Sequence, residues 1–235
     1  MSINKIKYSL LIPIYNEEKN INNLFNEIVD SGVYNLIEDI IYINDKSADQ
    51  SLNEICLLKE QYEKIKIVNH ESNLGQSNCL LSGAKLSNSE VLITIDGDCQ
   101  NNPKDILELL KLYKNDKKVL LVGGLRLERK DTIIKRISSR IANYVRKNIL
   151  DDDCEDTGSS LKVFDKNIFL QLPFFNGIHR FLPALYKASG GKTIFSKVSH
   201  RPRLYGESKY DTLGRLIRGI IDLIKVVKII KNLKR

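Results

Sequence analysis

Apolar and polar residues follow a repeating pattern through the first half of the chain. Residues 6–14 form a short apolar run that ends in a polar cluster, and Ile21, Leu24, Phe25 and Ile28 then recur at helical spacing. This predicts a strand, a loop and a helix. The unit returns at 39–43 with a helix around 52–62, at 65–68 with a helix over about 76–86, and at 91–95 with a helix over 103–113. Four such alternations predict a mostly parallel sheet covered by helices on both faces, an α/β fold.

Beyond this the alternation loosens. A strand at 119–122 leads into Gly123-Gly124-Leu125-Arg126, followed by a basic helix over 131–149 and a strand around 160–164. An aromatic stretch through Phe169, Phe174, Phe175 and Phe181 precedes a strand at 193–198. We read 1–211 as one domain, with 1–118 as a donor half and 119–211 as an acceptor half. Residues 212–235 form an appended helix with Leu213, Leu216, Ile217, Ile220, Ile224 and Val227 on one face. Arg215, Arg218, Asp222, Lys225 and Lys228 oppose them. Such a basic amphipathic helix either lies in a membrane interface or packs its apolar stripe on the domain or a partner chain.

Composition narrows the classes. A chain of 235 residues can bury one good core. Residues 1–7 lack the apolar run of a secretory signal and no stretch reaches the length of a membrane span, so a cytoplasmic location is expected. Cys56, Cys79, Cys99 and Cys154 lie far apart without a C-x-x-C pair, which suits neither a disulfide framework nor a zinc site. The net charge of +8 is concentrated: 126–147 carries +6, 201–235 carries +7, and the remainder is acidic. Two basic segments on an acidic body point to anionic ligands, either phosphates or an anionic membrane face. They lack the interleaved aromatics of a nucleic-acid stacking platform.

In sheets of this kind ligands gather beyond the carboxyl ends of the strands. The residues there are Asn16-Glu17-Glu18, Asn44-Asp45, Asn69-His70 and Asp96-Gly97-Asp98. No G-x-G-x-x-G or G-x-x-x-x-G-K follows the first strand, which disfavours a dinucleotide fold and a P-loop. Asp96 and Asp98 offer hard oxygen ligands suited to Mg²⁺ or Mn²⁺ bridging a diphosphate, with Gly97 letting the backbone approach a ligand. Acid pairs at strand ends also serve as turn or capping residues, so the surrounding motifs must decide.

Pro13-Ile14-Tyr15-Asn16-Glu17-Glu18, Asn44-Asp45-Lys46-Ser47-Ala48-Asp49 and Asp96-Gly97-Asp98-Cys99-Gln100 resemble, in order and spacing, the donor-site motifs of family 2 glycosyltransferases. Asp156-Thr157-Gly158-Ser159-Ser160-Leu161-Lys162 and Arg203-Leu204-Tyr205-Gly206-Glu207-Ser208-Lys209-Tyr210 resemble motifs of the branch containing dolichol-phosphate mannosyltransferases and bacterial polyprenyl-phosphate glycosyltransferases. The resemblance implies a single nucleotide-diphospho-sugar transferase domain of GT-A type. In it Pro13, Tyr15, Glu17 and Asp45 hold the base and ribose. Asp96 sits by the ribose and metal, Asp98 and Gln100 bind the metal, and Arg203, Ser208 and Lys209 reach the donor phosphates. Two departures stand out: Asn44 where the family often has aspartate, and Lys46 where it often has glycine.

Arg126, Arg136, Ser139 and Arg140 match the segment that meets an acceptor phosphate, in agreement with the charge gathered there. The expected reaction is metal-dependent, inverting transfer of a hexose from a GDP-mannose-like or UDP-sugar donor to a polyprenyl or dolichyl phosphate at the cytoplasmic membrane face. An ionised phosphate needs no strong base. With a saccharide hydroxyl as acceptor, Asp156 becomes the base, or a turn carboxylate. A nucleotide-binding regulatory subunit without turnover is the reading from another class. A homo-oligomer or a small membrane-protein partner fits the terminal helix. His179-Arg180 either faces a ligand or caps a helix, and His200 lies beside the Arg201 and Arg203 loop.

Overall fold

The structure is a computed structural model that describes residues 6–126, 149, 150, 152–154, 156–203, 205 and 212–233. The strands are β1 (Tyr8–Ile14), β2 (Asp39–Asn44), β3 (Ile65–Asn69), β4 (Val91–Thr94), β5 (Val119–Arg126), β6 (Lys162–Asp165) and β7 (Lys192–Val198). The helices are α1 (Ile21–Asp30), α2 (Ser51–Gln61), α3 (Gln76–Leu86), α4 (Asp105–Asn115), α5 (Lys166–Gln171), α6 (Leu182–Ala188) and α7 (Thr212–Leu233). Short 3-10 turns stand at Val33–Asn35 and Ile178–Arg180. The expected basic helix over 131–149 falls almost wholly outside the described residues.

All seven strands join one sheet in the order β3-β2-β1-β4-β6-β5-β7. The β1–β2, β2–β3, β1–β4 and β5–β7 pairs are parallel, as the alternation predicts. β6 is antiparallel to both β4 and β5, so the sheet is mixed. A short buried apolar run reads the same in either direction, so periodicity could not give the sense of this strand.

Because successive strand side chains point to opposite faces, β1 divides its residues between two cores. Leu10, Ile12 and Ile14 enter the layer under α1, α2 and α4, where Leu24, Phe25, Ile55, Ile106 and Leu109 meet them. Leu11, Ile41 and Ile43 face α3, α5, α6 and α7 across the sheet, among Leu80, Phe169, Leu185 and Val226. Pro13 lies in a central strand without losing a ladder bond. Its carbonyl faces Gly97, on the side where β4 has already ended at Thr94, so the missing N–H falls beyond that ladder.

The C-terminal helix packs on the domain by a face that shares Val227 with the predicted stripe and departs from it at Asp222 and Ile224. Asp222, Val226 and Ile230 are buried, with Leu223, Val227 and Ile229 packed against the same core. Ile224, expected on the apolar stripe, is 55% exposed, while Asp222, expected on the solvent face, is 5% exposed. Asp222 is satisfied in its buried position by an ion pair, since Arg180 Nη2 reaches Asp222 Oδ2 at 2.5 Å. Among the described residues no helix is long and apolar enough to cross a membrane.

Candidate functional site

Three loops leave the carboxyl ends of β1, β2 and β4, and each turns on a non-glycine residue with positive φ: Asn16 at 55°, Lys46 at 62° and Cys99 at 58°. Glycine adopts this region with less strain than a side-chain-bearing residue. The glycine common at the position of Lys46 therefore answers a backbone requirement. The first two loops are laced together: Asn16 N donates to Ser47 Oγ (3.0 Å), Ala48 N to Asn16 Oδ1 (2.7 Å), Glu17 N to Ser51 Oγ (2.9 Å) and Glu18 N to Asp49 Oδ2 (3.2 Å). The polar residues of both motifs thus build the rim itself, and they leave Tyr15 38% exposed at its edge.

Asp45 lies behind that rim, 4% exposed. Its carboxylate accepts from the backbone N–H groups of Leu74 (2.9 Å) and Gly75 (2.7 Å) and is 2.8 Å from His70 Nδ1. His70 Nε2 in turn meets Ser82 Oγ at 2.9 Å. Asp45 therefore orders the turn into α3. Asp45, His70 and Cys79 bring their donor atoms within 4.8 Å of one another. They nevertheless suit a metal poorly: both histidine nitrogens are engaged, and burial with the adjacent Asp45 pushes the Cys79 thiol far above its usual range.

The acids that follow β4 differ in kind. Loss of surrounding water and the neighbouring Asp98 push Asp96 up to about 6, against the lowering effects of a Ser160 hydrogen bond and the Lys162 and Arg126 charges. Gln76, the first residue of α3, donates to Asp96 Oδ1 at 2.9 Å. Asp98 is 7% exposed, and its Oδ1 accepts from the backbone of Gln100 (3.1 Å). Gln100 Nε2 is 3.1 Å from Arg201 O, which leaves its other amide atom, the oxygen, for a ligand. Gly97 serves packing here more than ligand approach: a Cβ would stand 2.4 Å from Ile14 Cδ1 and 3.2 Å from Pro13 O.

Basic groups close in from the second half of the chain. Arg203 Nη2 lies 2.7 Å from Asp98 Oδ2 and its Nη1 3.3 Å from Glu17 Oε1. Arg126, at the end of β5, grips Asp156 with Nε (2.7 Å) and Nη2 (2.8 Å), and its backbone N–H adds a third bond (3.3 Å). Lys162, 5% exposed, donates to Ser159 O within the fields of Asp96 and Asp156. Burial holds its ammonium below the usual lysine range. Arg136, Ser139, Arg140, Ser208 and Lys209, the other expected phosphate ligands, lie outside the described residues.

Sequence reasoning passed over Gln76 and Ser77, and it named Lys162 only as the last residue of a motif, without a role of its own. The Ser77 hydroxyl accepts from Gly177 N (2.8 Å) and meets His179 Nδ1 (2.7 Å), which ties the first turn of α3 to the 3-10 turn before α6. A signal existed for Gln76 and Ser77, because Asn73-Leu74-Gly75 marks a loop-to-helix turn and the next residues must open the helix at the strand ends. For Lys162 the motif itself was the signal, but a lysine in a short strand gives no sign that it is buried near Asp96 and Asp156.

The glycosyl transferase family 2 pattern matches residues 9–173, well over half the chain. The chain belongs to glycosyl transferase family 2. It is 29% identical over 229 residues to the dodecaprenyl-phosphate galacturonate synthase of Rhizobium johnstonii, covering 96% of this chain and 68% of that one. It is 30% identical over 228 residues to the undecaprenyl-phosphate 4-deoxy-4-formamido-L-arabinose transferase of Photorhabdus laumondii, covering 95% and 69%. The fold resembles glucosyl-3-phosphoglycerate synthase from Mycobacterium tuberculosis, solved with Mn²⁺, UDP and phosphoglyceric acid. There the TM-score is 0.74 at 16% identity, over 95% of this chain and 79% of that one. The GT-A-type fold expected from the motifs is therefore present, as a mixed sheet of seven strands.

The donor set suits a hard divalent cation. Asp96, Asp98 and Gln100 offer oxygen atoms on one loop, burial and the neighbouring Asp98 charge disfavour the ionised form of Asp96, and a guanidinium already stands on Asp98 as a cation.

Proposed function

We propose that this family 2 glycosyltransferase moves a sugar from a nucleoside diphosphate sugar to a polyprenyl phosphate. One observation carries the reading: desolvated acids suited to a cation, Asp96 and Asp98, share a sheet edge with the guanidinium groups of Arg126 and Arg203. A site that must hold a diphosphate donor and a phosphate acceptor needs this mixture of charge. The names of both relatives, each ending a sugar transfer on a polyprenyl phosphate, supply the acceptor class.

In this reading Pro13, Tyr15 and Glu17 line the base and ribose pocket, Asp45 shapes it from behind through the turn into α3, and Asp96, Asp98 and Gln100 would hold Mg²⁺ or Mn²⁺. The cation, when bound, neutralises charge developing on the departing diphosphate. Arg126, with Arg136, Ser139 and Arg140, orients the acceptor phosphate, whose ionised oxygen attacks the anomeric carbon and inverts it. Asp156 holds Arg126 in place, a role that its three bonds from that residue favour over proton abstraction. The relatives widen the candidate sugars beyond mannose and beyond hexoses, since one is named for a formamido-arabinose, a pentose. The exposed face of α7, with Ile221, Ile224, Lys225, Lys228 and Lys231, suits an anionic membrane surface, which supports a peripheral position on the cytoplasmic face of the membrane.

The test is a panel of UDP- and GDP-sugars with Mn²⁺ and undecaprenyl phosphate, read by mass spectrometry. A sugar phosphodiester cleaved by mild acid is the expected product. Products that resist mild acid would mean a hydroxyl acceptor and would sink the phosphate assignment.

A further inference from the structure

Arg203 stands where a metal ligand should be open. Its Nη2 bonds Asp98 Oδ2 at 2.7 Å and its Nη1 bonds Glu17 Oε1 at 3.3 Å, so acids from two different strand-end loops converge on one guanidinium. Asp98 and Glu17 side chains are only 9% and 10% exposed, which keeps the pairing strong.

The segment that brings Arg203 there is fastened to the acid loop itself. Asn101 and His200 form an isolated bridge, Arg201 N donates to Gln100 O (2.8 Å), and Gln100 Nε2 returns a bond to Arg201 O (3.1 Å). Arg201 then clamps Glu27 with two bonds, at 3.0 and 2.6 Å. Arg203 follows two residues after this anchor, so its backbone is held beside the acid loop.

We propose that Arg203 is the resident countercation of the metal site. It neutralises Asp98 and Glu17 before the divalent cation arrives, competes with that cation for Asp98, and is handed to the donor diphosphate once displaced. A carboxylate this poorly solvated needs a positive partner at every stage, and the guanidinium supplies one that can leave without breaking the fold. The exchange also makes the cation and the nucleotide favour each other, because displacing Arg203 frees the group that grips the phosphates. The proposal rests on the metal reading of Asp98 given above.

Mn²⁺ alone is the first probe, titrated by electron paramagnetic resonance into the wild type, Arg203→Met, Arg203→Lys and Asp98→Asn, with circular dichroism confirming each fold. Arg203→Met is expected to bind Mn²⁺ roughly tenfold more tightly than the wild type, the size of one charge-assisted hydrogen bond, with Arg203→Lys between them. Asp98→Asn loses binding. With Mn²⁺ saturating, Arg203→Met then binds the nucleoside diphosphate that the donor panel selects more weakly than the wild type. This opposite pair of shifts is one that a merely structural lesion would not produce. Equal Mn²⁺ affinity in wild type and Arg203→Met, or weaker affinity in the variant, overturns the proposal and leaves the metal site standing. Absence of Mn²⁺ binding in every protein overturns both.

Discussion

Arg126 holds both carboxylate oxygens of Asp156, with Nε at 2.7 Å from one and Nη2 at 2.8 Å from the other. A carboxylate gripped in this way is a poor proton acceptor, because its charge is already compensated and any proton must displace the arginine. Asp156→Asn is expected to lower transfer by about tenfold through a loosened Arg126, without removing a basic group from the pH–rate profile. A profile that loses its acid limb in the variant would restore Asp156 as a base.

Gly97 must lack a side chain for a packing reason, since an added Cβ would meet Ile14 and the Pro13 carbonyl. Ile14 is 1% exposed and has little room to turn aside. Gly97→Ala should cost about 1–3 kcal/mol of stability, measured by urea unfolding, and Ile14→Val in the same chain should recover part of it. If the double variant is no better than Gly97→Ala alone, the clash with Ile14 is not the cause.

His179 gives the fold an acid-sensitive point. Burial, with the Lys162 and Arg180 charges nearby, lowers its pKa from 6.5 to about 3, while Ser77 bonds its Nδ1. The folded state thus holds the neutral ring where the unfolded chain takes up a proton. The contribution is complete above about pH 6.5 and is lost as pH falls from there toward 3. Melting temperatures across this range should decline less steeply in His179→Gln than in the wild type. Parallel declines would refute the assignment.

The two faces of α7 should separate in mutation. Val226, fully buried against the sheet, is expected to cost about 2 kcal/mol when cut to alanine, whereas Ile224→Ser should stay within about 0.5 kcal/mol. Binding to vesicles rich in anionic lipid should follow the opposite order, weakened by Ile224→Ser and spared by Val226→Ala. Vesicle binding that ignores Ile224 would remove the membrane role of this face.

Much of the donor half was legible because its information is local. The spacing of Ile21, Leu24, Phe25 and Ile28 names the buried face of α1 directly, and all four are buried. The strand–helix alternation likewise places Asp45, Asp96 and Asp98 at one end of the sheet, since every parallel strand ends there. On α7, Asp222 and Ile224 were misread for an equally local reason. Periodicity ranks residues by polarity alone, and a buried Asp222 satisfied by Arg180 is invisible to it.

By itself, then, the sequence determined the α/β alternation, the family motifs and which acids stand at the strand ends, all of which follow from spacing over a few residues. Only the tertiary structure decided that β6 runs antiparallel and that Gln76 supports Asp96. It also decided that Ser77 meets His179 across 102 positions and that Arg203 crosses 105 positions to sit on Asp98. The physical reason is that these contacts depend on how the sheet closes and how distant loops pack over its edge. A hydrogen bond between segments so far apart leaves no period in the chain, and it exists only when the whole core has set the distance.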